Sequence, residues 1–356
     1  AEMSGKLAVT ALGLTLLLAM LMLNEKFQAQ PPGVGVGHRA PPPSQASSPP
    51  QEVGASFSEL SPAPAQAGTA KSEGPLTKAG LCTNTWYRSS KFERLFLEHP
   101  TELTDNQGIL CKTLEEWNYL HTWLGLHTSD IQAADDSVFP TMCRAGSRPQ
   151  RLEPLAGILR DPRYPCESIN FKLHTDYLVV ANKGDFPPES DSRNLFFDAG
   201  GSYFGAALLW FLETYDKKGL TMDEVFVWEA REVSDKDYWI RIPKKTRYKW
   251  QPKLTRYNAV PVVDGVDAEA NPMTQIYKKC RPQDFCVFKL DIDTPLIENK
   301  IAAQFMEDPG NVKEFFYEHH VKTPVMGRGD RYGRTLRDSY ELFLRLRQKG
   351  IRAHSW

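Results

Sequence analysis

The chain has 356 residues, with 43 Lys and Arg against 44 Asp and Glu, for a formal net charge of −1. Charged side chains make up 24% of it, the ordinary share for a folded protein. Without a basic excess it lacks the electrostatic footprint of a nucleic-acid binder, so nucleic acid is not expected as a partner.

From the N-terminus, Leu7 to Leu23 is an apolar run of 17 residues without a charge, preceded by Lys6 and followed by Asn24, Glu25 and Lys26. A helix of that length reaches the lower limit for spanning a bilayer. Lys6 suits a cytoplasmic N-terminus. Residues 1–6 are therefore expected as a cytoplasmic tail and 7–23 as a transmembrane signal anchor. A cleaved secretory signal is the competing reading, but its apolar core runs to about 7–15 residues and ends in a small-x-small site. Here the run is longer, and Phe27-Gln28-Ala29 is a poor cleavage site. Either reading sends the chain into the secretory pathway. The expectation is a single-pass type II membrane protein of the Golgi or another secretory membrane, with its domain in the lumen.

Residues 24–80 read as a stem. Pro31 to Pro75 holds ten of the 26 prolines among Gly, Ser, Ala and Gln. Such a segment cannot bury enough apolar surface to offset the entropy of ordering it. All six cysteines (82, 111, 143, 166, 280, 286) follow. Their even number in a lumenal domain permits up to three disulfides, with the pairing open. One or two are expected among Cys82, Cys111, Cys143 and Cys166, with Cys280 and Cys286 as buried structural residues. The wide spacing, without a CxxC, argues against a zinc site.

Leu81 to Trp356 is long enough for one large domain or for a domain with an extension. Residues 81–193 form the expected extension: helical spacing at Lys91–Glu98 and Leu114–Leu124, a proline-bounded loop at 161–165, a strand within Phe171–Ala181 and a polar loop at 185–193. Residues 194–356 then alternate. Strands are expected at Asn194–Asp198, Val225–Glu229, Val260–Val263, Phe285–Leu290 and Glu314–Val321. Helices are expected at Ala206–Tyr215 and Leu336–Gln348, the second closed by Gly350. The alternation predicts an α/β, Rossmann-like fold with a mostly parallel sheet and helices on both faces. Ligands in such sheets sit at the strand carboxyl ends.

Four features fall at those ends: Asp198-Ala-Gly-Gly-Ser-Tyr-Phe-Gly205, Glu229, Lys289-Leu-Asp291-Ile-Asp293 and Glu318-His319-His320. A glycine turn between strand and helix allows close backbone approach to a ligand. An acid at the end of the next strand can accept ribose hydroxyls. In order and spacing these features resemble the FkbM-type branch of class I S-adenosylmethionine-dependent methyltransferases, whose motifs are D-x-G-x-N-x-G, an F-E-P-like acid, K-I-D-x-E-G and E-x-H. The resemblance spans about residues 194–356. It implies S-adenosylmethionine as cofactor, with Asp198, Gly200, Gly201 and Ser202 near its methionine part, Glu229 on the ribose and Asp264 toward the adenine. It further implies Asp291 beside the transferring methyl group and His320 as general base for an acceptor hydroxyl or carboxyl, such as that of a glycan. No metal is expected under this reading. The sequence departs from the pattern at Ser202, Phe204, Ala230 and Asp293-Thr294, and Phe204 is expected to crowd the pocket.

A Golgi-type glycosyltransferase is the rival. Asp291-x-Asp293 after an apolar strand matches a motif that holds Mn²⁺ or Mg²⁺ against a sugar nucleotide. A third reading is an inactive tethered domain that binds a partner through the basic and aromatic stretch Arg241 to Tyr257, whose bland alternative is a solvated face.

Overall fold

The computed structural model describes residues 74–99, 102–103, 106–116, 136–156, 166, 175, 177–187, 189–321 and 334–356. The expected tail and anchor, the stem up to residue 73 and the loop at 161–165 lie outside the described residues. Among the described residues, no helix is long and apolar enough to cross a membrane.

The described residues begin a little ahead of Leu81. Leu76 forms a β-bridge with Cys82, and Thr77 and Gly80 close a turn between them. A small antiparallel sheet follows, β1 (Trp86–Arg88), β2 (Thr141–Cys143) and β3 (Gln150–Arg151), with β2 in the middle. Cys82 is disulfide-bonded to Cys143 of β2. Helix α1 (Lys91–Glu98) starts where Ser90 accepts a hydrogen bond from the Glu93 N–H, and it buries Phe92 and Phe96. Helix α2 (Gln107–Glu116) begins earlier than the apolar spacing suggests, and Cys111 in it is joined to Cys166. Most of the expected helix at Leu114–Leu124 lies outside the described residues.

The described part of the expected strand at Phe171–Ala181, Tyr177 to Ala181, is buried but pairs with no strand. Side chains take its backbone groups instead: Val179 N–H donates to Glu153 (3.0 Å), Ala181 N–H donates to Glu314 (3.0 Å), and the Val179 carbonyl accepts from Arg352. Buried backbone polar groups must be paired, but the partner need not be a strand.

The main sheet has β4 (Asn194–Ala199), β5 (Glu224–Glu229), β6 (Leu254–Asn258), β7 (Phe285–Leu290), β8 (Val312–Tyr317) and β9 (Arg352–Ser355). Every pairing is parallel, in the order β6-β5-β4-β7-β8-β9. This is the doubly wound order in which chain direction across the sheet reverses between the first and fourth strands. The third strand is thus Leu254–Asn258, not Val260–Val263. Pro261 offers no N–H to a ladder, whereas Leu254 to Asn258 has no fully buried residue, as suits an edge strand.

Both faces are covered. Neighbouring residues on a strand point to opposite faces. On β8, Phe316 packs on Phe211 of α3 (Ala207–Lys217) with ring centroids 4.7 Å apart, while Phe315 stacks at 4.3 Å on Phe305 of α7 (Pro295–Glu307). Between these lie α4 (Asp235–Tyr238), α5 (Lys244–Trp250) and α6 (Pro272–Lys279). Helix α8 (Leu336–Gln348) has the expected bounds, with a capping box at Thr335 and Asp338 and left-handed Gly350 behind it. Cys280 and Cys286, expected as structural thiols, are disulfide-bonded across the start of β7.

A buried charge network ties the extension to the β9 edge of the sheet. Arg347 of α8 reaches Glu153 (2.7 Å) and Glu93 of α1 (3.4 Å), and donates to the Ala353 carbonyl (3.0 Å). His354 lies between Glu153 (2.7 Å) and Glu314 of β8 (2.9 Å), and Arg352 holds Glu314 at 3.1 Å. Burial works against the charge on Glu314, but Arg352 and the hydrogen bonds from His354 and Tyr215 bring its carboxyl down to about 2. Burial opposes the imidazolium of His354 as well, yet Glu153 and Glu314 raise its pKa above the usual value.

Candidate functional site

The carboxyl ends of β4, β5, β7 and β8 carry three side-chain groups. The first is built on β4 and β7, the strands at the reversal point. The Lys289 ammonium lies 3.1 Å from Asp198 and 3.1 Å from Asp291, with Lys289 and Asp198 each 1% exposed. Two carboxylates keep Lys289 charged despite its burial. Burial raises the pKa of Asp198, and the neighbouring acids Asp291 and Glu229 add to the effect against the pull of Lys289. For Asp291 the balance reverses: burial is outweighed by Lys289 and by hydrogen bonds with Glu318 and Trp356, so its carboxyl is held low. The Trp356 indole N–H donates to Asp291 at 3.0 Å, and its ring packs on Phe211.

The glycine turn serves this packing. Gly200 has φ +108°, and a Cβ there would lie 1.6 Å from the Asp291 carbonyl oxygen. A Cβ on Gly201 would meet Val227 at 2.2 Å. The atoms that require both glycines therefore belong to the protein's own strands. Phe204 is fully buried, its ring centroid 4.4 Å from that of Trp239.

The second group lies at the end of β5. Glu229 accepts hydrogen bonds from the Arg231 backbone N–H (2.8 Å) and guanidinium (3.2 Å), and Arg231 also donates to Ser202 (2.8 Å). Burial pushes the Glu229 carboxyl up, but the hydrogen bonds from Ser202 and Arg231 prevail and hold it low. Ser202 and Glu229 are thus brought together, bridged by an exposed arginine. Asp264 lies apart on the loop after β6, paired to Lys300 of α7 at 2.7 Å.

The third group sits at the ends of β7 and β8. Asp293 adopts φ +53°, a left-handed conformation that costs a residue with a Cβ roughly 1–2 kcal/mol and that Asp tolerates better than most. One carboxylate oxygen each from Asp293 and Glu318 and one imidazole nitrogen of His320 lie within 4.8 Å of one another. His320 Nε2 is 3.5 Å from Glu318 and 3.5 Å from Glu298 of α7. Glu298 is fully buried. Its Oε1 accepts from the Ile292 N–H (2.8 Å), while its Oε2 has no hydrogen-bond partner among the described residues. Burial, reinforced by Glu318, Asp291 and Asp293, pushes the Glu298 carboxyl up to about 8. The adjacent His319 faces inward, stacked on Tyr317 at 5.2 Å, and burial brings its imidazole down to about 3. Of the two histidines, His320 is the one turned toward the acids.

Sequence reasoning missed Glu298, Arg231 and Trp356. A signal for Glu298 exists: it precedes the buried Ile301, Ala302 and Phe305 at helical spacing, placing an acid on an apolar face. Arg231 and Trp356 carry no such mark.

Two other features offer less chemistry. The cations of Arg241 to Tyr257 are largely engaged in local pairs: Arg247 with Asp235 (2.7 Å), Lys249 with Asp216 (2.6 Å) and Lys253 with the Met222 carbonyl (2.7 Å). A cleft of about 230 Å³ beside β1–β3 is smaller than the roughly 300–1,000 Å³ of ligand pockets, and its Arg88 and Arg151 are paired with Asp136.

No protein-family model matches the chain, and neither curated proteins nor solved structures include a significant match to it. The fold and the strand-end groups therefore define the class: an α/β, Rossmann-like domain with a polar rim at its topological reversal.

Proposed function

We propose that this domain is an S-adenosylmethionine-dependent methyltransferase, or a derivative of one, which binds its cofactor across the carboxyl ends of β4, β5 and β7. One observation carries the reading: Asp198, Glu229 and Asp291 terminate three adjacent parallel strands at the reversal point of the sheet. Open α/β sheets bind their ligands there. Glu229 takes the ribose hydroxyls once Arg231, 64% exposed, swings aside. Ser202 and the backbone around Gly200 and Gly201 meet the methionine part, and Asp264 serves the adenine. Methyl transfer from a sulfonium is an in-line displacement that needs positioning and a route for the acceptor's proton. Asp291, fixed by Lys289 and Trp356, borders the reacting centre, and His320 takes the proton from a hydroxyl or carboxyl of a glycan or small molecule.

The glycosyltransferase reading has less support. Asp291 is committed to Lys289 and Trp356 and does not join Asp293 in a shared ligand set. Three disulfides fit an oxidising compartment, in keeping with a lumenal domain behind an N-terminal anchor in a Golgi or other secretory membrane. The test is calorimetry of the full chain with S-adenosylhomocysteine, and separately with UDP plus Mn²⁺. Binding of the first, weakened at least tenfold by Glu229→Gln, is expected. Binding of UDP plus Mn²⁺ alone selects the glycosyltransferase, and silence on both selects a binding domain without transferase activity.

A further inference from the structure

We propose that Asp293, Glu318 and His320, with the buried Glu298 beside the imidazole, hold one divalent transition-metal ion at the carboxyl ends of β7 and β8. The inference goes beyond the methyltransferase reading and does not depend on it; with the ion bound, His320 is a ligand, and the ion takes over from the imidazole the task of easing the acceptor's proton loss.

The distances from the imidazole suit an ion shared with its neighbouring acids. Metal–nitrogen and metal–oxygen bonds of about 2.0–2.2 Å place two ligand atoms of a tetrahedral ion roughly 3.4 Å apart. His320 Nε2 stands 3.5 Å from an oxygen of Glu298 and 3.5 Å from one of Glu318. Asp293 brings a further oxygen within 4.8 Å of the Glu318 and His320 ligand atoms. Acids gathered at a surface would not by themselves make a site. The independent observation is Glu298, which is 0% exposed, with its Oε2 beside the imidazole and no hydrogen-bond partner among the described residues. A buried polar atom without a partner is costly to the fold. A cation between Glu298 and His320 satisfies it.

The local backbone also serves the site. The Ile292 N–H fixes Glu298 through its other oxygen, and the left-handed turn at Asp293 leads the chain from β7 into α7. Carboxylate oxygens with one imidazole nitrogen form a mixed donor set. It suits Mn²⁺ or Zn²⁺ better than Ca²⁺, which takes six to eight oxygens. An acceptor oxygen bound to the ion would lose its proton more readily.

Mn²⁺ titrated into the metal-stripped full chain, without S-adenosylmethionine, is followed by electron paramagnetic resonance of the free ion. One saturable site per chain is expected. Its affinity should fall at least tenfold in His320→Ala and in Asp293→Asn, the latter an exposed position that the fold tolerates, and about tenfold or more in Glu298→Gln. Glu269→Gln, which alters a surface acid paired with Lys278, should leave it unchanged. Absence of saturable binding by the folded wild-type chain overturns the proposal. So does unchanged affinity in both His320→Ala and Asp293→Asn, or displacement of Mn²⁺ by equimolar Ca²⁺. Because no cofactor is present, failure here leaves S-adenosylhomocysteine binding as a separate result, and the reverse holds too.

Discussion

Two of the places where the molecule buries charge treat it differently. Under β9, Glu93, Glu153, Glu314, Arg347, Arg352 and His354 form a network in which each cation is matched by acids at short range, although Glu93 Oε2 has no hydrogen-bond partner among the described residues. At the ends of β7 and β8, Glu298 is equally buried, but its carboxylate faces an imidazole at 3.5 Å, with that oxygen free of hydrogen bonds among the described residues, where Glu93 faces the Arg347 guanidinium. The first arrangement joins the extension to the sheet. In the second the fold tolerates an open valence where ligands of this architecture bind. Acids matched by guanidinium cations support structure, whereas an acid set against an imidazole at the rim is open to chemistry.

The contrast breaks hardest at Arg347. Removing one partner of a buried ion pair leaves an uncompensated charge, so Arg347→Met should cost about 3–5 kcal/mol in urea unfolding. A loss below about 1 kcal/mol would mean the network does not hold the extension.

The next effect is in the pH profile. The Glu314 carboxyl is depressed to about 2, so its contribution is present above its unfolded value and is lost as pH falls toward 2. The His354 pKa is raised, so its contribution is full below its unfolded value near 6.5 and is lost as pH rises through the folded one. Stability should therefore peak between these limits. Glu314→Gln should flatten the acid limb by about 3 kcal/mol, and His354→Gln should flatten the alkaline limb. A wild-type profile without either limb would contradict the pairing.

Glu298→Gln should act in the other direction. It keeps the bond from Ile292 and removes a carboxyl oxygen without a hydrogen-bond partner, so the metal-free chain should gain about 1–2 kcal/mol. A comparable loss would show that Glu298 belongs with the structural network.

The smallest effect is expected at the exposed Arg231. Arg231→Ala should leave stability almost unchanged, as loss of a surface ion pair does. Its effect should be on S-adenosylhomocysteine affinity, because it covers Glu229. No change in either quantity would remove Arg231 from the site.

Much of the sheet is legible in the chain because β4, β5, β7 and β8 are short apolar runs between turn signals, and buried parallel strands require that composition. Strand β6 is not, because an edge strand with Thr, Arg and Asn lacks the apolar signal that the neighbouring Val260–Val263 carries falsely. Tyr177–Ala181 misleads for the same reason: it is buried and apolar, yet the distant carboxylates of Glu153 and Glu314 take its backbone N–H groups. The acids at the strand ends could be located because each follows directly on an apolar run. Their partners could not, since Lys289 to Asp198, Trp356 to Asp291 and Glu298 to His320 join residues 91, 65 and 22 positions apart.

The sequence by itself determined the alternating α/β order, the strand-end acids and the glycine turn, because periodicity and turn chemistry are local properties of the chain. Tertiary structure alone decided the strand order, which cysteines join and what the glycines make room for. It also decided which acids are neutralised and which remain open. Those outcomes depend on which backbone crosses which. Gly200 shows the difference: the sequence marks a turn where a side chain would not fit, and only the fold shows that the obstacle is the carbonyl of Asp291.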